Sequence, residues 1–189
     1  GILQTYRKEV GRLNSSYGEV QPNAIHPLNE AQSTAYDKLL LQMMSHNVTL
    51  LHGVTSSGKT EIYIHLILKA LQEHKQVLYL LPEIALTVQM TDRLRRVFGN
   101  KLGIYHSRYN DDERVEIWKK QLSSMPYDVV LGARSAVFLP FQRLGLVIVD
   151  EEHETSFKQQ DPAPRYHARS AAIVLAQMYG AKTLLGTAT

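Results

Sequence analysis

From Asn47 onward the chain alternates between short apolar runs and longer stretches in which apolar residues recur every three or four positions. The runs are 48–53 (VTLLHG), 77–82 (VLYLLP), 102–107 (LGIYHS), 128–133 (DVVLGA), 144–151 (LGLVIVDE) and 183–189 (TLLGTAT). Several are almost continuously apolar, as strands covered by helices on both faces are, and do not alternate as a half-exposed strand would. Between them, Lys59–Glu73 and Thr87–Phe98 carry helical spacing, and Gly99 stops the second. Asn110, followed by Asp111, Asp112 and Glu113, reads as an N-cap with an acidic first turn, opening a helix that runs through Trp118 to Leu122. A further helix is expected over Tyr166–Met178, ending near Gly180. Strand then helix at this spacing predicts right-handed βαβ units and a mostly parallel sheet, an α/β fold.

Residues 1–27 do not share the rhythm. The stretch NSSYGEVQPNAIHP is polar and turn-rich, with Pro22 and Pro27, and reads as a linker or the tail of a preceding domain, leaving 28–189 as the folded unit. With 189 residues, 44% hydrophobic and 21% charged, the chain is long enough for one well-cored domain. No apolar run is long enough to span a bilayer, which needs about 18–20 residues, and the start lacks the layout of a secretory signal. There is no cysteine, so disulfides and thiolate metal sites are excluded, and a cytoplasmic location fits. The net charge of +3 and pI of about 9.1 suit a polyanionic partner without demanding one.

The first apolar run opens into Gly53-Val54-Thr55-Ser56-Ser57-Gly58-Lys59-Thr60, which fits G-x-x-x-x-G-K-[ST] between a strand and a helix. Small residues let successive backbone N–H groups turn toward phosphates, Lys59 supplies charge for the β- and γ-phosphates, and Thr60 offers a hydroxyl for Mg2+. The helix that begins at Lys59 points its positive end at the same place. A nucleoside triphosphate is the expected ligand. At the far end of the fifth run, Asp150 stands where a parallel sheet places its ligand edge. Asp150 can share the Mg2+ with Thr60, and Glu151, one residue on, can accept a proton from an attacking water.

Taken together, GVTSSGKT, DEEH and GTAT resemble the first RecA-like lobe of a superfamily 2 helicase. LPEIALT (81–87), YHS (105–107), the stretch 131–169 and LGTAT (185–189) narrow the resemblance to the primosomal protein N′ (PriA) family of replication-restart helicases, over about residues 25–189. The resemblance implies ATP and Mg2+ as cofactors, with Lys59, Asp150 and Glu151 catalytic and Gln32 of LNEAQ reading the adenine edge. His153 would link the nucleotide and DNA sites, with Thr187 and Thr189 in the coupling motif. PEIALT and GARSA, the latter holding Arg134, match segments that touch single-stranded DNA. TSFKQQDPAPRYHAR resembles the aromatic-rich loop shared with RecQ helicases. There Phe157 and Tyr166 would stack on bases, Lys158, Arg165 and Arg169 would meet phosphates, and Pro162 and Pro164 would keep the loop extended.

The resemblance further implies unwinding of forked DNA in the 3′-to-5′ direction, with single-stranded and forked DNA, primosome proteins and single-strand binding protein as partners and no membrane role. Such motors close their ATP site with an arginine from a second lobe, which is not found here, and the family's zinc would lie outside this cysteine-free chain. The expectation is therefore a fragment of a larger protein, nearly inactive by itself. The competing readings are a RecG-like or restriction-type double-strand translocase, a P-loop kinase for a small molecule, and a non-catalytic binding module. His65, His74 and His167 have no metal-ligand spacing, Trp118 with Val115 and Leu122 reads as core, and RLRR (93–96) reads as a solvated helix face.

Overall fold

The computed structural model describes residues 20–53 and 58–188. Six strands, β1 (Val48–His52), β2 (Gln76–Leu80), β3 (Leu102–Tyr105), β4 (Val129–Gly132), β5 (Leu144–Val149) and β6 (Lys182–Thr187), form one parallel sheet in the order β1-β6-β5-β2-β4-β3. Among the described residues five α-helices flank it: α1 (Glu30–Ser45), α2 (Lys59–Gln72), α3 (Val88–Phe98), α4 (Asp111–Leu122) and α5 (Ala168–Met178).

The near-continuous apolar runs have the expected cause. Val77 and Tyr79 of β2 join a core with α1, α2 and α3, while Leu78 and Leu80 join a second core with α4 and α5. Every residue of β2 and β4 is buried. On α5, Ala168, Ala172 and Ala176 fall at a four-residue spacing and make a small-residue face against the second core. Helix starts follow local chemistry. Asn29 and Asn110 each form a capping box, with Gln32 and Glu113 respectively, and the Thr87 hydroxyl accepts from the Met90 N–H. Gly99, at φ 56°, ends α3.

Three expectations need correction. Helix α1 was not singled out, although its capping box is readable in LNEAQ. Trp118 is 44% exposed, and Val115 and Leu122 are exposed beside it. Three apolar residues at helical spacing look the same facing in or out. Here α4 covers the β3 end of the sheet with Ile117 and Gln121, and buried Gln121 serves the Tyr127 N–H and the Pro140 carbonyl. Arg93 is not a solvated residue of RLRR: it forks onto Glu61 at 3.0 and 2.7 Å and donates to the Ala24 carbonyl at 2.8 Å. Nearby, the Gln21 N–H donates to the Val97 carbonyl and the His26 carbonyl meets the His65 ring, so this stretch touches α3 and α2.

Candidate functional site

Strand order assembles the site. Because β6 lies between β1 and β5, the C-terminal ends of all three sit side by side. The Gly53 N–H donates to the Thr187 carbonyl at 3.0 Å, and the Glu152 N–H to the Gly186 carbonyl at 2.9 Å. The start of the glycine-rich loop, the DEEH segment and the closing GTAT are thereby stitched together, although Gly53 and Thr187 stand at opposite ends of the domain in sequence.

Val54, Thr55, Ser56 and Ser57 lie outside the described residues, as does Thr189. Gly58 is described, and its φ of 76° places it in the left-handed region, where a Cβ would overlap the Gln32 amide nitrogen. It leads directly into α2, whose first-turn N–H groups face the same edge as Lys59. The Lys59 side chain is only 8% exposed, and its Nζ donates to the Gly53 carbonyl at 3.0 Å. The same Nζ is 3.4 Å from Glu151 Oε1 and 4.0 Å from Asp150 Oδ1. Thr60 follows in the first turn of α2, half-buried.

Asp150 is buried at the end of β5, and three donors surround its carboxylate. The Tyr63 hydroxyl and the Glu151 N–H donate to Oδ1 at 2.9 and 3.0 Å, and the Tyr79 hydroxyl reaches Oδ2 at 3.4 Å. Burial pushes the Asp150 carboxyl above the usual range, opposed by the Tyr63 hydrogen bond and the Lys59 charge. Burial and the Asp150 charge push both tyrosine hydroxyls up, so they remain donors. Glu151 has φ 50°, a left-handed conformation rare outside glycine, and this sharp turn brings its carboxylate back toward Lys59. His153 Nδ1 pairs with the Thr187 hydroxyl at 3.1 Å and its Nε2 lies 3.8 Å from Glu151 Oε2, so it bridges β6 and the DEEH segment. Gln32 has its carbonyl on the Asn29 N–H, while its amide donates to the Gly58 carbonyl at 3.2 Å.

The donor set suits Mg2+. The ligands on offer are hard oxygens, a buried carboxylate and a hydroxyl, and Mg2+ takes one or two such protein ligands plus phosphate and water. No cluster of three or more His, Cys, Asp or Glu able to hold a metal by itself exists among the described residues. Tyr63 and Tyr79 were missed by sequence reasoning. The signal was present for Tyr63, which is four residues past Lys59 and therefore on the same face of α2.

The residues expected at DNA gather at the neighbouring corner. A hollow of about 210 Å3 is lined by Pro82, Glu83, Ser107, Arg134, Ser135 and Ser156, which joins PEIALT, YHS and GARSA. The Ser107 hydroxyl donates to Glu83 at 2.7 Å. Arg134 donates to the Ser156 and Lys158 carbonyls at 3.1 and 3.4 Å, so it braces the loop that follows DEEH. Phe157 corrects an expectation: at 1% exposure its ring belongs to the core under the floor of that hollow instead of standing out as a stacking platform. Its short turn, Thr155–Phe157, tucks the ring beneath the loop. The loop itself is folded back, not extended, through a Lys158–His167 bridge and Gln159 amide bonds to the Pro162 and Pro164 carbonyls. Tyr166 is half-buried and packs edge-to-face on the exposed Phe138 at 4.7 Å, a ring the sequence reading did not consider. Lys158 also donates to the Arg165 carbonyl, Arg165 is exposed, and Arg169 pairs with Glu152. A larger hollow of about 450 Å3 lies at the opposite, N-terminal end of the strands, between α1 and α2, with mainly aliphatic walls.

Comparison with known proteins gives the same family. Residues 29–189 match the model of the DEAD/DEAH box helicases. The chain is 41% identical to the replication restart protein PriA of Bacillus subtilis over 95% of its own length and 24% of that protein. With PriA of Haemophilus influenzae it is 46% identical, over 86% of this chain and 22% of the relative. The chain thus spans about a quarter of the length of these curated relatives. Among solved structures, RecG bound to a three-way DNA junction superposes with a TM-score of 0.62 at 23% identity, over 87% of this chain and 21% of RecG, which shows the RecA-like fold.

Proposed function

The chain belongs to the DEAD/DEAH box helicase family, and we propose that it is the ATP-binding lobe of a PriA-like replication-restart helicase. The observation that carries this reading is the convergence of Lys59, Asp150 and Glu151 at the joined ends of β1, β6 and β5. In this reading the first turn of α2 and the Lys59 ammonium bind the β- and γ-phosphates, and Gln32 offers its second amide hydrogen to the base. Thr60 and Asp150 would hold Mg2+, whose charge would offset that of the phosphates. When phosphate takes up the Lys59 ammonium, Glu151 is released to accept a proton from the attacking water.

His153 and Thr187 then report the state of Glu151 to β6, while Glu152 and Arg169 connect the same segment to α5 and the folded loop. Arg134, Lys158, Arg165, Arg169 and Tyr166 surround the corner where single-stranded DNA would run, with Tyr166 the aromatic platform. The whole protein would move 3′-to-5′ along one strand at forks, work in the cytoplasm, and meet primosome proteins and single-strand binding protein. A second lobe would complete the ATP cleft with an arginine worth on the order of 10³ to 10⁵ in rate. The test is ATPase activity of the longer protein, with and without forked DNA, beside this chain alone. Strong DNA stimulation in the former and near silence in the latter are expected. Rapid turnover by this chain, indifferent to DNA, would overturn the reading.

A further inference from the structure

We propose that Tyr63 is a positioning residue for the metal site: its hydroxyl pins the Asp150 carboxylate so that the remaining oxygen lone pairs are already aimed when Mg2+ and nucleotide arrive. The inference rests on the nucleotide-binding reading above and adds a residue to it. Tyr63 is fully buried, and its ring stands edge-on to Tyr79 with centroids 5.5 Å apart at 80°, so the hydroxyl has little freedom. It donates to Asp150 Oδ1 at 2.9 Å, the shortest of the three hydrogen bonds on that carboxylate.

Two further features make this more than a buried tyrosine finding a partner. Position 186, in the strand between β1 and β5, is glycine. A Cβ there would overlap the Tyr63 hydroxyl and come within 2.7 Å of Asp150 Oδ1, so the space is kept for this hydrogen bond. Tyr63 also stands one helical turn beyond Lys59 on α2. One rigid turn therefore places both the ammonium for the phosphates and the donor that orients the metal-binding carboxylate. A shift of α2 moves the two together.

The experiment measures binding of a fluorescent ATP analogue to the purified chain, first in chelator and then across a Mg2+ titration. Tyr63→Phe keeps the ring and removes only the hydroxyl. It is expected to leave nucleotide affinity in chelator unchanged while raising the half-saturating Mg2+ concentration about tenfold, the scale on which residues behind a metal ligand act. Gly186→Ala crowds the Tyr63 hydroxyl and Asp150 Oδ1 together and should also raise the Mg2+ requirement. If Tyr63→Phe fails to fold, Tyr63→Met, which also removes the donor while an apolar side chain fills the space, carries the same test. An unchanged Mg2+ requirement, or equal weakening with and without Mg2+, overturns the proposal and leaves the nucleotide reading standing. A wild-type chain that binds no nucleotide at any Mg2+ concentration overturns both.

Discussion

Gly58→Ala perturbs the point where the glycine-rich loop enters α2, and its effect can be worked out from the structure. The residue sits at φ 76°, and an L side chain in the left-handed region is destabilised by about 1–2 kcal/mol. The added Cβ would also overlap the Gln32 amide nitrogen, forcing that flexible side chain away. Its hydrogen bond to the Gly58 carbonyl is then lost, a loss of about 1 kcal/mol. The total is about 2–3 kcal/mol, or roughly 5–10 °C in Tm for a domain of this size. Two companion variants separate the contributions. Gly180→Ala has φ 64° with nothing within 4 Å, so it isolates the backbone contribution and should fall short of Gly58→Ala. In a Gln32→Ala background, Gly58→Ala should cost no more than Gly180→Ala does. Thermal and urea unfolding of the purified chain give the comparison. A Gly58→Ala chain that melts with the wild type, or a fully additive double variant, would refute the reasoning.

Asp150→Asn should abolish Mg2+-dependent nucleotide binding yet melt no lower than wild type at neutral pH. Burial raises the folded-state pKa of Asp150, so its contribution to stability is full below the unfolded value near 4 and is lost as pH rises through the raised value. The gain from asparagine should therefore shrink toward pH 4, and a variant melting well below wild type at pH 7 would contradict this. Phe157→Ala should destabilise the fold by about 3–5 kcal/mol, measured by urea unfolding, whereas Tyr166→Ala should mainly weaken single-stranded DNA binding. Equal stability for both would return Phe157 to the surface. Trp118→Gln should change stability by no more than about 0.5 kcal/mol, while Ile117→Ala, one residue away, should lower it by about 2–5 kcal/mol. The reverse order would mean that α4 packs by its other face.

The strands were legible because burial on both faces leaves little room for polar residues, and Asn110 and Gly99 marked helix boundaries by local chemistry alone. The meeting of Lys59 with Asp150 and Glu151 was legible because a loop after one parallel strand and acidic residues at the end of another share one edge of the sheet. What escaped the sequence was non-local. Nothing in the chain order says that β6 slips between β1 and β5, yet that placement joins Gly53, Thr187 and Glu152. An aromatic in a polar segment reads alike whether it faces solvent or core, and so Phe157 and Trp118 were each assigned to the wrong side. The left-handed turn at Glu151 left no mark in the sequence, since glutamate carries no preference for that conformation.

Every role proposed for Lys59, Asp150 and Glu151 depends on this site holding a nucleoside triphosphate. Calorimetric titration of Mg2+ and ATP into the purified chain, beside a Lys59→Ala variant with an unchanged circular dichroism spectrum, measures that. A single saturable site in the wild type that disappears with Lys59 is the predicted result. Absence of binding in the wild type, or binding that survives the loss of Lys59, would contradict it.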